Sequence, residues 1–382
     1  MNTRTLGRTG LDCTEIGLGT WALAAQIYGD VSASDAHRTV RAAVEAGINV
    51  FDTAPLYGDT KRNGIAETVL GEALGADRDR VLIFSKFGRY STDGAAPNFH
   101  AARARESVEG SLMRLGRDHL DLVFFHSPFG AHDIHDDVWA ELDRLRAEGK
   151  VRYVGHSISM FQDTEGMARQ WAEERRIDAI QVVYSLMNRE AASLIADLAG
   201  QGVGIVAREC LANGFLSGAI TADTVFPEGT LNARYPREEV AERAAYADAL
   251  KGLLVRGDVT TLPQAAFRWV LDNPHVTLAL SGAKTEAELM DAVNATHAAP
   301  TPPTSTPRPT GSIRATSRQR EGANHYTPSP CRCEERGTAK RRGNPGRRSP
   351  DHSNGSVPLQ PDCHVGPAGL LAMTSEGAAW LP

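Results

Sequence analysis

The chain has 382 residues, 41% hydrophobic and 23% charged, with a formal net charge of −6. That supplies apolar material for a sizeable core and excludes a fully disordered or collagen-like chain. No run approaches the ~18 apolar residues of a membrane span. The opening MNTRTLGRTGLDC lacks the apolar stretch of a secretory signal, so a cytoplasmic protein is expected.

The charge is unevenly placed. Residues 298–382 hold 11 Arg+Lys against 6 Asp+Glu, together with 13 of the 20 prolines and three of the five cysteines, Cys331, Cys333 and Cys363. Residues 1–297 carry the opposite sign, 30 against 41. We therefore read two parts, a folded body over 1–297 and a low-complexity tail over 298–382. Cys13 and Cys210 lie far apart in the body, which suggests free thiols.

In chain order, β-branched apolar runs fall at 15–20, 49–53, 81–86, 120–126, 151–157, 179–185, 204–209 and 277–282. Helical patterns lie at 33–46, 64–74, 101–115, 136–148, 163–174, 189–200, 260–272 and 284–296. Ser34 and Asp35 are candidate caps of the first helix, and Gly47 ends it. Asp136 and Gly149 bracket the fourth. Residues 239–255 form an extra helix within a long insertion.

Eight strand–helix units with short connections predict an α/β fold, a (β/α)8 TIM barrel. Strands apolar on both faces fit a parallel sheet covered by helices. The rival is an open doubly wound sheet. Its dinucleotide fingerprint is incomplete here, because GLGTW at 17–21 lacks the third glycine.

In such a barrel, polar residues at the C-terminal strand ends face the active site. Three successive strands end in Asp52, Lys86 and His126, with Tyr57 five residues beyond Asp52. Each has a plainer reading on its own: a turn cap, an exposed charge, a core histidine. Their coincidence at matching strand ends favours a catalytic set. A tyrosine with a pKa near ~10 is a poor acid, and a nearby ammonium is expected to lower that value. Lys86 supplies the charge, Asp52 holds Lys86 protonated, and His126 orients the substrate oxygen. The set suits protonation of an alkoxide formed at a carbonyl carbon.

With GLGTW at 17–21, FDTAPLYG at 51–58, SKFG at 85–88, FFHSP at 124–128 and SGAKTEAEL at 281–289, residues 3–297 resemble the aldo-keto reductase superfamily. The likeness is to its bacterial general-oxidoreductase branch. The resemblance implies a nicotinamide-dependent carbonyl reductase with the tetrad Asp52, Tyr57, Lys86 and His126, Tyr57 being the proton donor. It places Thr20 and Trp21 beside the nicotinamide, with Asp52 also against the cofactor. Ser157 and Gln181 then fall on the carboxamide, and Tyr184 stacks on the ring. Residues 208–217 form the pyrophosphate loop, with Arg208, Leu211, Gly214 and Ser217 in it. Lys284 meets the adenosine 2′-phosphate, and Glu288 lies beside the adenosine. NADP(H) is the favoured cofactor and NAD(H) the alternative.

The chain departs from the family pattern at several positions. Ser157 is followed by Ile158 where asparagine is frequent. Glu209-Cys210-Leu211 replaces Ser-Pro-Leu, which sets a carboxylate near a pyrophosphate unless Arg208 compensates. Glu288 stands for a frequent glutamine, and Ala292 for a frequent asparagine.

Beyond 299 the helical pattern stops at PTPPTSTPRPTGS. Disorder is the expectation for this tail. Cys331-x-Cys333 with His352, Cys363 and His364 has atypical zinc spacing, so no metal site is assigned. The run KRRGNPGRR at 340–348 reads as a solvated basic stretch rather than a nucleic-acid site. The tail has the character of out-of-frame translation. A polar, helical, family-like ending in another frame past codon 297 tests that.

The leading functional expectation is NADPH-dependent reduction of an aldehyde or ketone to an alcohol. The alternative is a cofactor-binding regulatory or redox-sensor subunit with little turnover. A small-molecule carbonyl substrate is expected, with no nucleic-acid or membrane partner. The oligomeric state stays open.

Overall fold

The structure, a computed structural model, describes residues 1–24 and 31–301. The tail from 302, with its cysteines and its basic run, lies outside the described residues.

The chain opens with an antiparallel hairpin that the sequence pattern did not signal. Its strands are β1 (Thr3–Thr5) and β2 (Asp12–Thr14), with Thr3 opposite Thr14. Three-residue strands without apolar alternation carry too little periodicity to be read. Between them, Leu6 and Leu11 are buried. They cluster with Val50, Phe84, Leu122, Phe124, Val206 and Leu278 from the barrel strands. The hairpin therefore contributes to the barrel's own apolar core.

The barrel strands are β3 (Ile16–Gly19), β4 (Val50–Asp52), β5 (Leu82–Phe87), β6 (Leu120–His126), β7 (Val151–Ser157), β8 (Ala179–Val183), β9 (Gly204–Arg208) and β10 (Leu278–Ser281). They pair in parallel, each with the next, and β10 returns to β3, closing the barrel. Closure leaves no unpaired edge. The expected (β/α)8 architecture is the observed one.

After the single turn α1 (Trp21–Ala24), the helices are α2 (Ala33–Glu45), α3 (Ile65–Leu74), α4 (Ala101–Leu115), α5 (Asp137–Ala147), α6 (Phe161–Glu173), α7 (Ala192–Gly200), α8 (Arg237–Leu254), α9 (Leu262–Leu271) and α10 (Glu286–Ala295). The largest boundary shift is at α7, expected from 189. A turn intervenes there, in which Ser185 N–H donates to Asn188 O at 2.8 Å and Asn188 N–H to Ser185 Oγ at 3.0 Å. The cap of α2 also differs from expectation. Ser32, with extended backbone angles, accepts from Asp35 N–H at 3.1 Å, so neither Ser34 nor Asp35 is the cap. Asp136 precedes α5 with helical angles already and makes no side-chain cap bond.

The helices bury one face against the strands. Val40, Leu70, Val108, Leu142, Trp171, Leu194, Val270 and Leu289 share one apolar layer with outward-facing strand residues. A second cluster joins Phe215 and Leu216 to Tyr246 and Leu250 of α8 and to Leu262 and Ala266 of α9. The insertion at 213–238 is anchored to that cluster. Tyr235 meets Phe215 edge-on at 5.3 Å, Phe226 does so at 6.2 Å, and Asn232 Nδ2 donates to Asn213 O at 2.8 Å.

Candidate active site

Strand register brings the polar strand ends into one layer. His126 pairs with Ser157, and Ser157 with Gln181, across β6, β7 and β8. Asp52 ends β4 opposite Phe84 of β5, two residues before Lys86. Side chains two apart on a strand share a face, so Lys86 projects on the side set by Phe84.

Tyr57 is carried by a tight loop instead of a strand. Its N–H donates to Ala54 O at 3.0 Å, its carbonyl accepts Ala66 N–H at 3.0 Å, and Gly64 N–H donates to Pro55 O at 2.6 Å. Gly58 admits no side chain in this loop. A Cβ there would lie 2.0 Å from Arg62 O and 2.9 Å from Ser91 Oγ.

The tetrad is buried and assembled. Lys86 Nζ donates to Asp52 Oδ1 at 2.6 Å and to Thr53 O at 2.9 Å. The same ammonium lies 4.8 Å from the centroid of the Tyr57 ring. His126 meets Tyr57 edge-on at 5.8 Å, and Trp21 stacks on Tyr57 at 5.9 Å. Thr20 donates to Asp52 O from its N–H at 2.9 Å and from its hydroxyl at 3.1 Å. Gln181 Nε2 donates to Asp52 Oδ2 at 2.7 Å, and Ser157 Oγ donates to Gln181 Oε1 at 3.3 Å.

The net electrostatics at Tyr57 run opposite to expectation. Burial, the largest influence, pushes the phenol above its ordinary value of 10.0; Lys86 pulls it down and Asp52 pushes it up. The expected lowering by Lys86 is present but outweighed. A buried phenolate loses its hydration, and one ammonium already shared with a carboxylate does not replace it. The phenol is therefore held protonated at neutral pH. At Lys86, burial alone disfavours the ammonium, but Asp52 and Tyr57 outweigh it and raise the pKa above 10.5.

Tyr184 is not brought to this group. Its ring packs against Trp269 of α9 at 5.0 Å, and its hydroxyl accepts from Asn273 Nδ2 at 3.4 Å. It lies just past the end of β8, where strand alternation no longer sets the facing. Arg208 at the end of β9 stands nearer the tetrad, its charge acting on Tyr57. Arg208 pairs with Glu209, so the awkward carboxylate is compensated, and Nη2 donates to Ile158 O at 2.9 Å.

In the loop after β9, Glu209, Ala212, Asn213 and Gly214 all take positive φ, and the loop is closed by its own bonds, Ala212 N–H donating to Glu209 O at 2.7 Å and Gly214 N–H to Leu211 O at 3.0 Å. Arg208 Nε is buried with no hydrogen-bond partner among the described residues. Leu211 is half-buried and packs against the core, while Ser217 Oγ accepts from Ala219 N–H at 3.1 Å. At α10, Thr285 Oγ1 accepts from Glu288 N–H at 3.3 Å, and Glu288 Oε2 accepts from Lys284 N–H at 2.8 Å. Glu288 thus serves its helix end, beside Lys284.

Two groups escaped the sequence reading. The Thr53 carbonyl is a backbone acceptor with no sequence signal. Ser127 has φ +53 and sets its hydroxyl 3.5 Å from Ser157 Oγ; its place directly after His126 was the available signal. Cys13 and Cys210 are free and buried, and burial pushes each thiol up to about 12, which makes both unreactive. Among the described residues no group of three His, Cys, Asp or Glu side chains is placed to hold a metal, and no helix is long and apolar enough to cross a membrane.

A closed parallel barrel with a Lys–Asp pair, a tyrosine and a histidine at its C-terminal mouth defines a class of barrel oxidoreductases. A family model described as the aldo/keto reductase family matches residues 15–305, and the chain belongs to that family. The chain is 27% identical over 296 residues to the aldo-keto reductase YhdN of Bacillus subtilis, covering 76% of this chain and 87% of that one. It is 29% identical over 311 residues to the NADH-specific methylglyoxal reductase of Escherichia coli, covering 76% and 92%. Among solved structures, the glycerol dehydrogenase AKR11B4 of Gluconobacter oxydans superposes with a TM-score of 0.65 at 26% identity, covering 86% and 97%.

Proposed function

We propose that the protein reduces a small aldehyde or ketone to an alcohol at the expense of NADPH, with Tyr57 as general acid. The observation that carries this reading is the Lys86 ammonium, bonded to Asp52 at 2.6 Å and lying 4.8 Å from the Tyr57 ring.

The residues present fit a nicotinamide dinucleotide. Arg208 Nε, buried and without a hydrogen-bond partner among the described residues, suits a diphosphate. Lys284 precedes the N-terminus of α10, where a cation and a helix end both favour a phosphate. The row of Ser157 and Gln181 presents hydroxyl and amide groups suited to a carboxamide. When bound, the dihydronicotinamide supplies the hydride. Tyr57 gives its proton to the substrate oxygen as negative charge develops there. Lys86 steadies the phenolate left behind, and Asp52 keeps Lys86 charged and in place. His126, edge-on to Tyr57, directs the same oxygen toward the phenol. Trp21 forms an apolar wall suited to an uncharged substrate.

The test is oxidation of NADPH at 340 nm by the full chain with an activated aromatic aldehyde, beside NADH. Turnover supports the reductase. Tight NADPH binding with no turnover favours the regulatory or sensor subunit, and no binding of either cofactor overturns both.

A further inference from the structure

Asp52 is gripped from two sides. Lys86 Nζ reaches Oδ1 at 2.6 Å and Gln181 Nε2 reaches Oδ2 at 2.7 Å. All three side chains are buried. A carboxylate only accepts hydrogen bonds, so the amide orientation follows: the NH2 end faces Asp52 and Oε1 takes the Ser157 hydroxyl at 3.3 Å. Family resemblance assigns Gln181 to the cofactor carboxamide and to nothing else.

We propose that Gln181 is also a positioning residue for the proton donor, acting through Asp52 and Lys86 on Tyr57. This rests on the reading of Tyr57 as the group that gives the proton. A donor on each oxygen fixes the plane of the carboxylate, so Oδ1 stays against Lys86. The amide also draws charge away from the side of Asp52 that Lys86 does not neutralise.

The groups facing Tyr57 are Asp52 from β4, Lys86 from β5, His126 from β6 and Arg208 from β9. Asp52 alone among them carries negative charge, and Gln181 weakens its push on the phenol. Loss of the amide donor leaves that charge more concentrated, and the phenol becomes a weaker acid. A role confined to packing or to cofactor contact leaves the phenol's acidity unmoved in cofactor-free protein.

The experiment uses the full chain without cofactor, labelled throughout with 3-fluorotyrosine. The fluorine withdraws electrons and lowers the pKa of every phenol, which brings the titration of residue 57 to lower pH. The 19F signal of residue 57 is assigned by its loss in Tyr57→Phe and followed against pH. In Gln181→Met its midpoint is expected to rise by about 0.5 pH unit or more. Gln181→Asn, one methylene too short to reach Asp52, is expected to shift the same way and serves if the methionine variant does not fold. Ser157→Ala, which removes the far hydrogen bond of Gln181 and the contact with Ser127 but leaves the Gln181–Asp52 bond, should leave the midpoint in place. An unchanged midpoint in the Gln181 variants overturns the proposal. Because the titration needs no turnover, a shift in a protein that reduces no aldehyde supports the Gln181 relay and counts against the reductase alone.

Discussion

The Lys86 ammonium stands 4.8 Å from the centroid of the Tyr57 ring while bonded to Asp52 at 2.6 Å. One buried cation therefore serves two partners. Its bond to Asp52 keeps it charged, and its field supports the phenolate that forms when Tyr57 gives up a proton.

Tyr57→Phe keeps the ring and its stacking on Trp21 but removes the proton. We expect kcat for carbonyl reduction to fall by roughly 10²–10⁴, with NADPH binding within twofold of wild type by fluorescence. Because burial holds the phenol above its ordinary 10.0, the acid form persists through neutral pH. Reduction should therefore decline on the alkaline side only above about pH 10. A decline centred near pH 7 would contradict this role.

Lys86→Met leaves Asp52 as a buried, half-compensated charge. Removing one partner of such a pair costs about 3–5 kcal/mol, which calorimetry should register as a clear drop in Tm. Adding Asp52→Asn neutralises the stranded carboxylate, so the double variant should be more stable than Lys86→Met alone. Additive losses would show that the pair is not energetically coupled.

Lys284→Ala tests the cofactor choice. Loss of a charge-assisted contact to a 2′-phosphate costs about 1.5–3 kcal/mol, a tenfold or greater rise in the Kd for NADPH. The Kd for NADH should stay within twofold. Equal weakening of both would remove Lys284 from the phosphate, and a wild-type preference for NADH would favour the alternative cofactor.

Gly58→Ala should harm activity through position alone. The added methyl meets Arg62 O at 2.0 Å, so the loop must open and carry Tyr57 with it. Overpacking of this kind costs about 1–3 kcal/mol, and kcat should fall more than cofactor affinity. Wild-type kcat in a folded Gly58→Ala protein would mean that the loop yields without moving Tyr57.

His156 should make the barrel acid-sensitive. It is fully buried against Trp171, and neither ring nitrogen has a hydrogen-bond partner among the described residues. Burial depresses its pKa from 6.5 to about 3. The folded state thus binds fewer protons than the unfolded chain between those values. Stability is complete above pH 6.5 and falls as pH drops toward 3, by up to ~1.4 kcal/mol per pH unit. Urea titrations should show a shallower acid decline in His156→Phe; an unchanged slope would assign the acid loss to other groups.

The barrel was legible because its strands are short apolar runs separated by amphipathic helices, and both periods survive in a linear reading. β6 and β7 were read to the residue, 120–126 and 151–157. Asp52, Lys86 and His126 were legible for a related reason: polar residues at the ends of apolar strands are conspicuous. Tyr57 stood out only through its motif, since its loop has no period. The contact of Tyr184 with Trp269 of α9, 85 positions away, was not legible, because a strand's facing no longer guides the chain once it leaves the sheet.

The architecture and the four chemical groups were readable from the linear chain, because periodicity and strand-end polarity are local properties. The direction of the Tyr57 pKa, the pairing of Gln181 with Asp52 and the packing of Leu6 and Leu11 into the barrel core came from the three-dimensional fold. Each depends on burial and on distances between residues far apart in sequence, where desolvation and pairing compete and only the geometry fixes which prevails.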